Sequence, residues 1–302
     1  NVTPPELTPW TKVVMIDASH FDANAAYAAT ERHQLEDYEP HVYRTRDAGR
    51  TWQPITKGLP AGVYVQTVKE DPLRRGLLFC GTERGVFVSF DDGDYWQSLQ
   101  MNLPAVSVRD LQVKDDDLVV ATHGRGFWVL DDITALRQMD RTIMAAEVIL
   151  FRPADAIRLP QPDEQGTPLP RDEPSAENPP SGAIIDYYLK VAPAGPAALE
   201  ILDAAGTVVR RFASDDHPRP RDANALAVEL VWAPQAEPLP VTAGMHRWVW
   251  DLRLPAAATA AAEAPTAPPS FVAPGRYTLR LVVNGRDYRQ PLFVRADPRG
   301  VW

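Results

Sequence analysis

A tandem repeat limits this chain more than any other feature. Residues His41–Gln53 read HVYRTRDAGRTWQ and Gly85–Gln97 read GVFVSFDDGDYWQ, two copies of one unit. In each, a short alternating apolar run ends in Thr or Ser, and Asp, Gly and Trp follow at fixed offsets. The residues are Thr45, Asp47, Gly49 and Trp52, then Ser89, Asp91, Gly93 and Trp96, with 44 residues from Trp to Trp. The flanks match as well, LPAGVYVQTVKEDP after the first copy and LPAVSVRDLQVKDDD after the second. A third copy, LVVATHGRGFWVLDDI, answers LLFCGTERGVFVSFDDG with Asp132 41 residues beyond Asp91, but the Gly and Trp are gone. A fixed period of this size means stacked units, each unable to bury its apolar face alone.

Periods of about 40 to 50 residues carrying four short strands define a β-propeller blade. In the unit from Gly62 to Gln100, strand A is expected at Val63–Val68, B at Leu77–Gly81, C at Gly85–Phe90 and D at Tyr95–Leu99. In the C–D turn, Asp47 and Asp91 are expected to bond the backbone two residues on, and Gly49 and Gly93 to take positive φ. The Trp is expected to pack beneath the turn. These eight residues are assigned structural roles, with a calcium loop on Asp91, Asp92 and Asp94 as the lesser reading. Asp115–Asp117 reads as a solvated turn.

The pattern Ser/Thr-x-Asp-x-Gly-x-Thr-Trp resembles the Asp box of bacterial neuraminidase repeats, found in sialidases, xyloglucanase-like glycoside hydrolases and the sortilin-type propeller. Thr45–Trp52 matches throughout, and Ser89–Trp96 departs only at Tyr95, where Thr is usual. The runs Ala28–Trp52 and Ala121–Asp132 (ATHGRGFWVLDD) resemble large secreted bacterial sortilin-like or "glycosyl hydrolase" repeat proteins. That resemblance implies a structural Asp box and an extracellular or periplasmic location. A closed ring needs about four to eight blades, and Asn1–Trp10 reads like the tail of a preceding blade. The chain is therefore expected to be part of a longer protein whose upstream blades complete the ring.

Beyond Asp132, Ile133–Met139 reads as a short helical piece and Glu147–Phe151 as one more strand. Pro160–Ser181 is proline-rich, acidic and without periodicity, the mark of a linker. Seven short strands follow: Ala183–Lys190, Ala198–Leu202, Thr207–Phe212, Val228–Trp232, His246–Leu252, Arg276–Val283 and Asp287–Val294. Tight turns at Asp203–Gly206 and Asn284–Gly285 join two of the pairs. Such a run suggests a β-sandwich. The pieces ALEILDAAGTVVRRF, HRWVWDL and APGRYTLRLVVNG resemble the immunoglobulin-like domain of flagellar hook-capping proteins. The Ala/Pro tract Pro255–Pro269 reads as a solvated loop. The expected fold class is all-β: a partial propeller of about three blades over 1–152, a Pro-rich linker over 153–182, an Ig-like sandwich over 183–296 and a tail over 297–302.

Lys+Arg of 31 against Asp+Glu of 40 gives a net charge of -9, which removes any general attraction to nucleic acid or anionic lipid. No stretch reaches about 18 apolar residues, so no membrane insertion is expected. The single cysteine, Cys80, sits between Phe79 and Gly81 in a strand, as core. Trp248, Trp250 and Leu252, like Tyr277, Leu279 and Leu281, alternate as sandwich core rather than as a sugar platform.

In a blade the B–C and D–A loops emerge on one face of the ring and the C–D turns on the other. The B–C loops thus bring Glu31, Arg32 and His33, then Glu83 and Arg84, then His123 and Arg125 onto one face. Cations on three successive blades, with two carboxylates, suit recognition of a sugar or a peptide. The competing reading is that these polar residues cap strand ends and pair across blades. Glycoside hydrolysis needs two facing carboxylates roughly 5 to 9 Å apart. Only Glu31 and Glu83 lie on the favoured face, and neither carries a family catalytic motif. Ser19 with His20 lacks the glycine-flanked elbow of a hydrolase nucleophile. No catalytic residue, metal ligand or cofactor is assigned. The reading is a non-catalytic binding portion of an exported bacterial propeller protein that recognises a carbohydrate or peptide, with the sandwich as spacer or docking module. The alternative is a subsite-bearing fragment of a glycoside hydrolase whose catalytic carboxylates lie mainly upstream.

Overall fold

The structure, a computed structural model, describes residues 3, 7–140, 143, 145–159, 179–217, 237–255 and 270–300. The chain divides into two compact units, Asn1–Asp140 and Arg141–Trp302.

In the first unit the repeat becomes three antiparallel meanders in chain order. Strands β1 (Lys12–Ala18), β2 (Ala26–Arg32), β3 (Asp37–Thr45) and β4 (Gln53–Pro54) form one sheet. Strands β5 (Val65–Glu70), β6 (Leu78–Thr82), β7 (Gly85–Ser89) and β8 (Gln97–Ser98) form the next. The third holds β9 (Val108–Lys114), β10 (Asp117–Thr122) and β11 (Phe127–Leu130), with no fourth strand among the described residues. This is a partial β-propeller. The piece expected at Ile133–Met139 is a single 3-10 turn, Leu136–Gln138.

The second blade buries one face against the first and the other against the third. Tyr27, Ala29 and Val42 of the first blade pack with Val65, Val68, Leu78 and Cys80 of the second. Phe79, Val86 and Val88 of the second pack with Val108, Leu111, Leu118 and Val120 of the third. A central strand buried on both faces reads as a continuous apolar run, which is why residues 77–80 are LLFC. Each large side chain removed from water contributes about 2 kcal/mol. Gly81 marks a close approach of the second and third blades: a Cβ there would lie 2.6 Å from Thr67 Cγ2 and 2.7 Å from Val108 Cγ1.

The two C–D turns share one set of three bonds. The Thr45 hydroxyl accepts the Gly49 N–H at 2.9 Å and donates to Asp47 Oδ1 at 2.9 Å, and Asp47 Oδ1 accepts the Thr51 N–H at 2.8 Å. Ser89 and Asp91 repeat this with Gly93 (2.9 Å) and Tyr95 (2.9 Å). Each Asp therefore reaches four residues along rather than two, because the intervening pair is coiled left-handed. Ala48 and Gly49 have φ of 57° and 80°, Asp92 and Gly93 of 63° and 87°. The departure at Tyr95 drops one bond, the one from Thr51 Oγ1 to Asp47 Oδ2 at 2.7 Å.

Trp96 does not pack beneath its own turn. It crosses to the preceding blade, where its indole N–H donates to the Ile55 carbonyl at 2.7 Å and its backbone N–H to the Lys57 carbonyl at 2.9 Å. It is fully buried, whereas Trp52 is only half-buried. In place of a calcium loop, Asp91 serves the turn, Asp92 accepts from Tyr27, Arg44 and Arg46, and Asp94 pairs with Arg44 at 3.2 Å.

The second unit is a two-sheet sandwich. Its strands are β12 (Val148–Leu150), β13 (Ala156–Arg158), β14 (Ala183–Leu189), β15 (Ala198–Leu202), β16 (Val208–Ala213), β17 (Gly244–Trp250), β18 (Gly275–Val283) and β19 (Arg286–Ala296). One sheet runs β12-β14-β17 and the other β13-β19-β18-β15-β16. Ile185, Tyr187, Leu199, Ile201, Trp250, Leu252, Leu279 and Leu281 fill the space between them, with Tyr277 buried and Trp248 partly buried at the margin. Asp186 holds Arg247 across β14 and β17 through two bonds of 2.9 Å. Asn284 and Gly285 take φ of 49° and 74° in the β18–β19 hairpin, the left-handed pair such a two-residue turn demands.

The strand at Val148–Leu150 pairs with β14, so it belongs to the sandwich and not to the propeller that the sequence extends to residue 152. Within the stretch read as linker, Ala156–Arg158 lies parallel to β19. The strand expected at Val228–Trp232 lies outside the described residues, as do 160–178 of the Pro-rich segment, 256–269 of the Ala/Pro tract and the last two residues.

Candidate functional site

The three B–C loops are built differently. Between β2 and β3 a 3-10 turn, His33–Leu35, is closed by Glu36 in the left-handed region, φ 62°. Between β6 and β7 stand only Glu83 and Arg84, followed by Gly85 at φ 148°, where a Cβ would overlap the Gln100 amide. Between β10 and β11 run residues 123–126, with Gly124 and Gly126 at φ 89° and 66°.

Equivalent backbone bonds tie the second and third loops to the D–A connection of their own blades. The Glu83 N–H donates to the Tyr64 carbonyl at 3.2 Å, and the His123 N–H to the Ser107 carbonyl at 2.8 Å. B–C loops and strand-A starts therefore share one face.

On that face Glu31 is the most heavily engaged residue. At 2% exposure its carboxylate accepts from Lys12 Nζ at 2.8 Å and Gln66 Nε2 at 3.1 Å, and pairs with His33 Nδ1 at 2.7 Å. Burial pushes its carboxyl up, but the bonds and charges of Lys12 and His33 outweigh that and hold it below the ordinary Glu range. It is an ionised anchor rather than a loop-tip ligand. The His33 ring stacks on Tyr64, centroids 4.6 Å apart at 16°, and Tyr38 leans on the same ring at 6.3 Å. First-blade and second-blade residues thus form one preorganised cluster.

Arg32 is turned away into a pair with Asp37 at 3.2 Å, which His41 also holds at 3.1 Å. Burial raises the Asp37 carboxyl, yet the Glu39 N–H, His41 and Arg32 together keep it low. Glu83 and Arg84 make a loose pair at 3.6 Å, and the Arg84 side chain is 69% exposed. His123 and Arg125 are exposed, and neither side chain has a partner among the described residues. The buried hydroxyls Thr30 Oγ1 and Ser107 Oγ, at the margin of this face, have no hydrogen-bond partner there either.

Of the seven residues read from sequence, His33, Glu83, Arg84, His123 and Arg125 present polar groups at this face, while Glu31 and Arg32 are spent on internal pairing. Sequence reasoning missed Lys12, Tyr64, Gln66 and Ser107. The signal was present: Tyr64 and Ser107 hold one position of the repeat, the residue that receives the B–C loop amide.

The other candidates resolve into structural parts. Burial and the Asp92 and Glu70 carboxylates push the Tyr27 phenol up, in a network that joins the first two blades. Burial likewise pushes the Cys80 thiol up, leaving it unreactive. Ser19 Oγ accepts the Phe21 N–H at 3.2 Å and the His20 N–H donates to Glu70 at 3.1 Å, both turn contacts.

No protein-family model and no curated protein matches the chain. Among solved structures it is similar to an ancestral GH74 enzyme at 22% identity and a TM-score of 0.30, over 37% of this chain and 14% of that one. It is similar to YCF48 bound to D1 peptide at 20% identity and a TM-score of 0.29, over 40% and 37%. The GH74 xyloglucanase from Xanthomonas campestris aligns at 13% identity and a TM-score of 0.33, over 93% and 47%. The chain thus spans less than half the length of each.

Proposed function

We propose that this chain is a binding portion of an exported bacterial propeller protein whose B–C loop face recognises a carbohydrate or a short peptide. The observation that carries this reading is the cluster of Glu31, His33, Tyr64 and Gln66, which fixes a half-buried imidazole on the face that also carries the exposed Arg84. Farther along the same face His123 and Arg125 stand unpaired in solvent. Preorganised donors beside free cations favour hydroxyl and carboxylate groups of a ligand. Catalysis by this face finds no support in Glu31. Buried and held ionised by three donors, it has no proton to give a leaving group. The glycoside hydrolase alternative, with its catalytic carboxylates mainly upstream, draws nothing from Glu31.

The test is a glycan and peptide array with a hydrolysis readout on every binder, followed by the double variant Arg84→Ala, Arg125→Ala. Binding without turnover, weakened about tenfold or more by the double variant at unchanged Tm, is expected. Unchanged affinity in the variant removes the site assignment, and turnover by the chain itself removes the non-catalytic reading.

A further inference from the structure

The first strand of each of the three blades carries a β-bulge at one position of the repeat. In β1 the register steps from Val13 to Met15 opposite Thr30 and Ala29. In β5 it steps from Val65 to Thr67 opposite Thr82 and Gly81, and in β9 from Val108 to Asp110 opposite Thr122 and Ala121. Val14, Gln66 and Arg109 are therefore the added residues, and a bulge re-aims the side chain it adds. Thr30, Thr82 and Thr122 lead into the B–C loops, so all three bulges border that face. Each of these first strands has a single partner in its sheet, and successive ones lie against each other, Asp17 on Lys69 at 3.1 Å and Thr67 on Asp110 at 3.5 Å.

What the added side chain meets differs from seam to seam. Gln66 is 5% exposed and donates to Glu31 of the preceding blade at 3.1 Å. The run Thr30-Glu31-Arg32 recurs as Thr82-Glu83-Arg84, so Arg109 stands to Glu83 as Gln66 stands to Glu31. The end of β6 adjoins the bulge of β9, because Gly81 leaves room for Val108. Yet the equivalent bond is not made. Glu83 pairs with its neighbour Arg84 at 3.6 Å, and the exposed Arg109 guanidinium has no partner among the described residues. The adjacent carboxylate, Asp110, is occupied by the Leu111 N–H at 2.8 Å and the Thr67 hydroxyl. The first seam is thus closed at this face, while the second presents a free guanidinium and a loosely held carboxylate.

We propose that Arg109 is a ligand-binding residue and that the ligand of this face is an acidic sugar, a hexuronate. The proposal rests on reading the B–C loop face as a recognition surface and names its ligand. Arg109 takes the sugar carboxylate, which its planar fork of donors matches. Glu83 accepts from ring hydroxyls and Arg84 donates to them. The charge of the place favours an anion. With Glu31 matched by Lys12, Arg84, Arg109 and Arg125 stand against Glu83 and Asp110, on a chain whose net charge is -9. A peptide is less well served, since peptides are commonly held through main-chain hydrogen bonds. Here the Arg84 N–H is taken by Thr82 Oγ1 at 3.2 Å, and those of Glu83 and His123 by the Tyr64 and Ser107 carbonyls. Side chains are left to do the binding, which suits a ring of hydroxyls.

The probes are trigalacturonate, triglucuronate and their methyl esters, titrated into the full chain and followed by calorimetry. Saturable binding of at least one acid is expected, weakened about tenfold or more in its ester, which keeps the hydroxyls and loses the charge. Arg109→Gln, which puts the second-blade residue into the third blade, should weaken binding comparably while Tm holds. No binding at millimolar acid, or equal binding of acid and ester, overturns the proposal. A ligand from the array that is weakened by Arg84→Ala, Arg125→Ala but not by Arg109→Gln removes Arg109 and leaves the recognition surface standing. A peptide whose binding depends on Arg109, with neither acid bound, removes the hexuronate. If nothing on the array binds either, the reading of the face falls as well.

Discussion

Glu31 shows how neighbours decide the work of a charged residue. Its type and place in a loop-bordering Thr-Glu-Arg run point outward, yet the structure spends it inward on Lys12, His33 and Gln66. Nothing local in the sequence reveals this, since Gln66 and Tyr64 lie on the next blade. Arg84, His123 and Arg125 were legible as exposed because short loops leave their polar side chains nowhere to go but solvent. The Glu31 carboxyl lies lower in the folded chain than in the unfolded one. Its contribution is therefore complete above the unfolded value, about 4.3, and is lost as pH falls through the folded value. Calorimetric Tm should drop more steeply below about pH 4 in the native chain than in Glu31→Gln. At neutral pH that variant should be less stable by about 1 to 3 kcal/mol, having left Lys12 and His33 without their carboxylate. Parallel pH profiles would remove Glu31 from the ledger of acid sensitivity.

The elements divide by how local their causes are. Strands A, B and C of the second blade follow from apolar runs broken by Gly and Asp, and they fall within a few residues of expectation. The C–D turn was legible in composition but not in reach, because a left-handed pair folds the fourth residue onto the Asp. The three-residue β13 was missed, since so short a segment has no periodicity and is placed by β19 alone. The destination of the Trp is likewise a tertiary matter. Trp96 is buried across the seam with two hydrogen bonds, while Trp52 keeps part of its ring in solvent. Trp96→Ala should accordingly cost about 3 to 5 kcal/mol and Trp52→Ala distinctly less. Urea midpoints of the two variants check the order, and equal losses would mean that seam burial is not what sets the cost.

Across the first unit as a whole, the two seams are unequal. The first is closed by Trp96 and by the network of Tyr27, Arg44, Glu70 and Asp92; the second carries an open cleft lined by Leu99, Leu103, Leu118 and Trp128. What fastens the third blade is Arg137, which holds the fully buried Asp71 at 2.9 Å and also reaches Asp116, while Arg74 caps the carbonyls of Leu136 and Met139. Stability in stacked units is a sum of unit and neighbour terms, so opening should begin at the weaker seam. Hydrogen exchange is expected to be faster in residues 118–130 than in 78–89. Arg137→Ala, by stranding a buried carboxylate, should cost about 3 kcal/mol and widen that difference. Uniform protection in the native chain would show that the cleft does not weaken its seam. Trp96 carries one more consequence, for anyone wishing to move a blade. Because its acceptors are Ile55 and Lys57, the sheet β5–β8 cut out by itself carries its largest side chain away and leaves the socket behind. A transplantable module starts upstream of Ile55, inside the neighbouring repeat, so the sheet and the unit that can be moved do not coincide.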